Sequence, residues 1–397
     1  MRRDPTSGRA AAAAVPAAVP LLAAVLLLAS GATPAAADSG PVELPVVRTE
    51  LAPDEACATA SGRTAKSEPW TTRALGLSRA WQQSRGAGVT VAVVDTGVGT
   101  SIPALSGRVE TAGGGGGDCV GHGSFAAGLI AAAPAEGVGA VGVAPAARIL
   151  AVRATGERGT TTPALLADGI RTAAGSGAKV IYVARALPTG KEELTDAVEY
   201  ATGHDALVVA PFAPDALPRD ADEEAAPRWY WPASAPDVLA VMDHGSGGGR
   251  PAGAPTALSA DLAAPGVAVV GNGPEGTGHY LGSGSSLAAA HVAGAAALVR
   301  ARHPGLSAAE VSRRLTDTAY PASPPRLDAY AALTAVLSDT PGTVPRQPAA
   351  VLPAEPSRTP RTRAVVIASV GGGLVLLVAA GAAVIPRGRA RRWRPAG

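Results

Sequence analysis

A mostly parallel β-sheet covered by helices is the fold this sequence predicts, and two observations predict it. Short apolar runs rich in β-branched residues, bounded by glycine or polar turn residues, alternate with stretches of helical periodicity. The runs are apolar at successive positions instead of every second one, as in strands buried on both faces of a parallel sheet.

The elements follow in order. Leu75 to Arg85 reads as a helix closed by Gly86 and Gly88. Val89 to Val94 reads as a buried strand ending in Asp95-Thr96-Gly97, which puts a carboxylate at the sheet edge where ligand chemistry collects in open α/β folds. After the glycine run 113–117, Asp118-Cys119-Val120-Gly121-His122-Gly123-Ser124 leads into an apolar helix from Phe125 to Ala133. Strands are expected at Arg148 to Arg153, Lys179 to Ala184, Ala206 to Ala210, Val238 to Met242 and Ala268 to Val270. Helices are expected at Thr162 to Ala174 and Glu192 to Thr202. The last is a run apolar on every side from Leu287 to Val299, preceded by Gly284-Ser285-Ser286, which places small hydroxyl residues at the N-terminus of a buried helix. Free N–H groups there can stabilise negative charge beside a serine.

With 397 residues, 47% of them apolar, the chain can hold one large domain with appendages. Aromatic residues make up only 3%, so Ala and Val must fill most of the core. The formal net charge of +2 gives no argument for a nucleic-acid partner or a generally basic surface, and no nucleic-acid partner is expected.

Both ends carry segments outside that domain. Arg2 and Arg3 precede an apolar stretch from Ala10 to Ala29 and then Ala35-Ala36-Ala37, the layout of a secretory signal over residues 1–37. An N-terminal extension follows over 38–65, the globular domain over 66–338, and a stalk over 339–363 whose repeated prolines keep it semi-extended. Residues 364–385 carry no charge and as a helix would extend roughly 33 Å, enough to cross a bilayer. The basic tail 386–397 is expected on the cytoplasmic side, which leaves the domain outside the cell membrane on one C-terminal transmembrane helix.

The chain has two cysteines, Cys57 and Cys119. In an exported protein the economical reading is one disulfide, with two free buried thiols as the alternative. Cys119 and His122 are near enough in sequence to suggest a metal, but no second pair of ligands accompanies them, and zinc is discounted. No cofactor is expected. The stretch Gly271-Asn272-Gly273-Pro274-Glu275-Gly276 matches a dinucleotide-binding pattern, yet Pro274 and Thr277-Gly278 do not open a helix and no acidic residue stands at the required distance. A hairpin or surface loop is expected there.

Asp95 at a strand end, His122 at a helix start and Ser286 at a helix start form a constellation with a specific chemistry. Ser286 would attack a carbonyl, His122 would take its proton and return it to the leaving group, and Asp95 would fix the imidazole tautomer. The chain order Asp, His, Ser is that of subtilisin-type triads, and Ala288 replaces the second glycine of the esterase elbow.

Three blocks resemble the signatures of subtilase serine proteases: Val91-Ala92-Val93-Val94-Asp95-Thr96-Gly97, Gly121-His122-Gly123-Ser124, and Gly284-Ser285-Ser286-Leu287-Ala288-Ala289-Ala290-His291-Val292-Ala293-Gly294. Gly142 to Pro145 and Leu262 to Val267 resemble further family segments, and the likeness runs from Pro69 to Ala335. It implies a subtilisin-like three-layer α/β fold and a serine endopeptidase acting on a polypeptide substrate. The signal, stalk, C-terminal span and Asp118-Cys119 before the histidine block resemble the mycosins, membrane-anchored subtilases of type VII secretion. That resemblance implies an extracytoplasmic domain whose extension is held by a Cys57–Cys119 disulfide. It also implies a domain that matters to the secretion complex independently of cleavage.

Two departures stand out. The family places an oxyanion-donating asparagine after an Ala-rich strand, and here Val208 to Pro214 occupies that segment, with Pro214 at the matching place. Proline offers no donor, and losing one such donor costs on the order of 100- to 1000-fold in turnover. Val180-Ile181-Tyr182-Val183-Ala184-Arg185-Ala186 stands where the family usually has an Asn-x-Ser-Leu-Gly strand lining the cleft, which puts Tyr182, Ala184 and Arg185 where an extended substrate should pair. Ala290 and Ser124 are milder replacements of a proline and a threonine. A complete triad favours a membrane-tethered endopeptidase; the altered cleft and oxyanion region favour, as the alternative, a pseudoprotease serving as a structural part of a secretion complex.

Overall fold

The structure, a computed structural model, describes residues 43–216, 228–337 and 359–391. The expected signal, the first residues of the extension, most of the stalk and the last residues of the basic tail lie outside the described residues.

Two short helices open the domain, α1 (Trp70–Ala74) and α2 (Leu77–Ala80). The single helix expected over Leu75 to Arg85 is therefore broken. Gly76 adopts a left-handed conformation, φ 60°, and the turn it makes lets both Leu75 and Leu77 bury in the core. Then come β1 (Thr90–Asp95), β2 (Val109–Ala112), α3 (His122–Ala131), β3 (Arg148–Arg153), α4 (Pro163–Gly175), β4 (Val180–Val183), α5 (Lys191–Gly203), β5 (Leu207–Pro211) and β6 (Val238–His244). The domain finishes with β7 (Leu262–Pro265), β8 (Val269–Asn272), β9 (His279–Gly282), α6 (Ser285–Arg302), α7 (Ala308–Asp317) and α8 (Ala329–Thr334).

Among the described residues seven strands form a parallel sheet in the order β2-β3-β1-β4-β5-β6-β7. Successive side chains of the inner strands enter different cores. Val91 and Val93 of β1 join Val180 and Tyr182 of β4 and Leu207 and Val209 of β5 on the α3 and α6 side. Ala92, Val94, Ile181, Val183, Val208 and Ala210 face the other way with Leu166, Ile170 and Leu194 of α4 and α5. This is the three-layer arrangement that continuous apolar strands predict.

The α6 layer follows from composition. Its alanines let the helix lie close to the sheet, and Gly294 lets it meet the loop between α3 and β3, where an added Cβ would sit 2.6 Å from the Val143 Cβ. Strands β2 and β7 escaped the sequence reading because both are edge strands, β2 half exposed and β7 rich in alanine with a terminal proline that an edge tolerates. The segment with the dinucleotide-like pattern is a hairpin joining β8 to β9, closed by Gly273 N–H donating to the Gly278 carbonyl.

The described part of the N-terminal extension runs over the domain surface as a strap. Val47 pairs with Leu281, the Leu51 N–H donates to the Arg158 carbonyl, and the Ala58 N–H donates to the Cys119 carbonyl. The Arg63 carbonyl accepts from His279 N–H, and the Ala65 carbonyl from Gly139 N–H. Cys57 and Cys119 are joined by a disulfide across a separation of 62 residues.

Helix α9 (Thr359–Ala390) forms a second unit. Its stretch Thr362–Ala390 is long and apolar enough to cross a membrane, and Arg387 and Arg389 lie in its last turn. The helix begins before and ends after the 364–385 span expected from the sequence.

Closing a loop of this length restricts the unfolded chain by at most about 4 kcal/mol. Cys57→Ser should therefore lower the unfolding free energy measured in denaturant by up to that amount, and a non-reducing peptide map should yield Cys57 and Cys119 in one cross-linked peptide. Free thiols at both positions would contradict the pairing.

Candidate active site

The site begins where the central strand β1 ends. Asp95 is fully buried there, and one of its oxygens accepts the Thr96 N–H at 2.8 Å. The sheet order changes direction around β1, which has β3 on one side and β4 on the other, so the following loops part and leave a crevice. Helix α3 starts in that crevice at His122.

A compact polar knot holds the two ends together. The Asp118 carboxylate accepts from Gly121 N–H, Ser124 N–H, Ser124 Oγ–H and Thr96 Oγ1–H, each at 2.8 Å. Thr96 Oγ1 in turn accepts the Gly123 N–H at 3.0 Å. Gly123 must be glycine for this approach, because a Cβ would lie 2.0 Å from the Gly97 carbonyl oxygen. Cys119 adds the covalent link to the strap.

The imidazole so placed meets both partners expected from the sequence. His122 Nδ1 lies 2.6 Å from the second Asp95 oxygen, and His122 Nε2 lies 3.1 Å from Ser286 Oγ. All three side chains are buried. Ser286 is the second residue of α6, and its neighbour Ser285 donates to Asp243 at 2.6 Å. Arg250 grips the same Asp243 oxygen through Nε at 2.9 Å and a terminal nitrogen at 2.7 Å, while its guanidinium lies 4.8 Å over the Phe212 ring. Such an arrangement can pass a proton from a serine hydroxyl to an imidazole whose other nitrogen is anchored by a carboxylate.

The loop after β5 brings to the head of α6 a residue that the sequence analysis did not single out. Asp215, not Pro214, faces the head of α6: its carboxylate accepts the Ser286 N–H at 2.9 Å and Ser286 Oγ–H at 2.5 Å. The same carboxylate lies 3.7 Å from His122 Nε2. Pro214 only turns the loop after β5, and the next residue delivers the polar group. The usable signal was that Asp215 is the first side chain after β5 able to hydrogen-bond; counting one residue further along the loop would have found it.

Two carboxylates thus flank one imidazole. Burial alone would push His122 down, but Asp95 and Asp215 outweigh it and raise its pKa to about 9.

The three residues expected to line the substrate cleft sit at the end of β4 and just after it. Tyr182 is fully buried in β4, with its hydroxyl beside Ser286 but outside good hydrogen-bonding geometry. Burial first, then the charges of Asp95 and Asp215, keep that phenol well above its usual pKa. Ala184 is buried too. Arg185 points at the strap: its guanidinium donates to the carbonyls of Thr49 and Gly159 and pairs with Glu50 at 3.8 Å. A long cation beside an extended segment is satisfied by that segment's carbonyls, so this arginine is engaged before any substrate arrives. Cys57 and Cys119 converge with Glu157 in a cluster that resembles a ligand set, but the two sulfurs are bonded to each other.

Comparison with known proteins agrees with this geometry. Residues 86–347 match the profile of the Subtilase family, Peptidase S8. Mycosin-1 of Mycobacterium tuberculosis (strain ATCC 25618 / H37Rv) is 34% identical over an alignment covering 79% of this chain and 84% of that protein. The crystal structure of MycP1 from the ESX-1 type VII secretion system superposes with a TM-score of 0.63 at 27% identity, covering 77% of this chain and 100% of that one. A chain in the structure of an intact ESX-5 inner membrane complex gives a TM-score of 0.61 at 27% identity, covering 88% of this chain and 100% of that one. With a parallel seven-stranded sheet, three signature residues in contact at its edge and a profile match over most of its length, the chain belongs to the subtilase family of serine proteases.

Proposed function

We propose that the protein is a membrane-anchored serine endopeptidase of the mycosin type, working beside a type VII secretion machinery with its domain outside the cell membrane. The observation that carries the chemistry is the unbroken contact from Asp95 through His122 to Ser286, at 2.6 Å and 3.1 Å. With neutral His122 as base, Ser286 Oγ attacks the peptide carbonyl carbon while its proton moves to Nε2 and the C=O electron pair moves onto oxygen. As the tetrahedral species collapses, the C–N bond breaks and the leaving amine takes the proton from His122. Water repeats the sequence on the acyl-enzyme, restoring Ser286 and releasing the acid. Asp95 holds the ring and balances its charge throughout.

Its setting rests on likeness and on α9. Similar chains occupy structures of type VII assemblies, and α9 supplies a candidate anchor. The domain layout is then a removed signal, a disulfide-held strap, the peptidase domain, a proline-rich stalk, the span and a basic tail facing the cytoplasm.

One observation favours a second reading. The carboxylate of Asp215 sits on the Ser286 N–H, where a substrate oxygen would bind. A site held that way suits a non-catalytic component of the same complex.

A fluorophosphonate probe separates the two readings: purified protein should be labelled through Ser286 and Ser286→Ala should not. Labelling that persists in the alanine variant, or none in either wild type or Asp215→Asn, would remove the nucleophile assignment. For the topology, protease added outside whole cells with a loosened envelope should digest the domain while sparing a fragment that holds α9; a resistant domain would contradict it.

A further inference from the structure

Ser286 Oγ carries one proton and has two groups within reach that could accept it. The hydroxyl lies 2.5 Å from Asp215 and 3.1 Å from His122 Nε2. If it donates to Asp215, the His122 contact can be a hydrogen bond only when Nε2 is itself the donor. Because Nδ1–H is already given to Asp95, His122 is then doubly protonated. The chain reads Asp95 carboxylate, imidazolium, serine hydroxyl, Asp215 carboxylate, with every donor aimed away from the direction nucleophilic attack requires.

We propose that Asp215 is an internal ligand of the oxyanion site, a positioning residue that holds Ser286 and His122 in an ion-paired resting state until the carboxylate is displaced or neutralised. Its place is built for it. Gly284 supplies the room, since a Cβ there would lie 2.1 Å from the Asp215 Cγ. The Asp215 side chain is 9% exposed, so water screens its charge weakly. The loop that carries it is braced by Phe212 under Arg250.

The charged and titratable neighbours are consistent with this state. His122 of α3 faces Asp215 directly, Asp95 of β1 lies behind the imidazole, and Tyr182 of β4 contributes a neutral phenol. Asp118 adds a carboxylate beyond Asp95. Arg185 is the cation that acts on Tyr182, and its guanidinium is committed to the strap. His122 is therefore the cation that faces Asp215, and its pKa is raised to about 9 in keeping with that pairing.

The route to activity conserves protons. Moving the Nε2 proton to Asp215 gives a neutral imidazole and a carboxylic acid without any exchange with solvent. The base is then free, and the acid O–H can donate to a developing oxyanion. Raising the pH removes the imidazolium proton instead, and leaves an anion where the oxyanion must form.

The test compares detergent-solubilised full-length wild type with Asp215→Asn and Asp215→Ala. The proposal rests on Ser286 as nucleophile only for the kinetic arm. Fluorophosphonate labelling of Asp215→Asn should be faster by about 100-fold, because an anion gives way to an amide donor. Asp215→Ala should also label faster than wild type but more slowly than the asparagine variant. The His122 imidazole ¹⁵N signals, assigned by their loss in His122→Gln, should titrate near pH 9 in wild type. In both Asp215 variants that titration should fall by on the order of one pH unit, and labelling should then rise with pH as the neutral base appears. Labelling in both variants no faster than in wild type overturns the proposal. If no protein is labelled, the nucleophile reading fails and the His122 titration alone decides: a titration that stays put in both variants overturns the proposal, and one that falls upholds the ion pair. An anionic cap on α6 and nothing more predicts lower thermal stability in Asp215→Ala with no acceleration, which also overturns it.

Discussion

The 2.6 Å contact between Asp95 and His122 joins the end of the central strand to the start of α3, and the rest of the site is arranged around that junction. A charged group at the floor of a buried sheet is tolerable only when paired and hydrogen-bonded. Asp95 meets that demand with Thr96 and His122, and the Asp118 knot fixes the imidazole by tying Thr96 to Gly121, Gly123 and Ser124. Ser286 reaches His122 because α6, with its alanines, packs against the sheet and α3 in one core.

Placing a second carboxylate at this junction changes its electrostatics. In a serine protease the groups around the nucleophile must leave the histidine neutral at rest and offer donors to negative charge. In the reading proposed above, Asp215 does the opposite on both counts, since it accepts the Ser286 N–H and favours the imidazolium. The chemistry of the three signature residues and the chemistry of the loop after β5 therefore oppose each other, and the outcome rests on how easily one side chain gives up its hydrogen bonds.

The strap belongs to the same economy of buried polar groups. Arg185 and Arg158 donate to main-chain carbonyls at Thr49, Ala52 and Glu55. The disulfide then fixes the strap to the loop that precedes His122. In this way a segment far from Asp95 in the sequence steadies the approach to the site.

Much of this was legible in the residues. Continuous apolar strands, a helix of alanines and three blocks with Asp95, His122 and Ser286 were enough to name the layers and the constellation, because burial on two faces and chain order are both written locally. The strands β2 and β7 were hidden by their half-exposed or alanine-rich composition, and the capping pair Ser307 and Glu310 that opens α7 was legible but passed over. Where the chain bends was decided only in three dimensions: Gly76 splits the first helix, and the turn after β5 brings the Asp215 carboxylate to Ser286. Arg185 likewise reads as an obstacle in a cleft until the strap appears beside it. Sequence determines which groups are present and which faces are buried; the partner of each buried charge depends on loop geometry and on contacts between distant segments, and those are settled only when the whole domain closes.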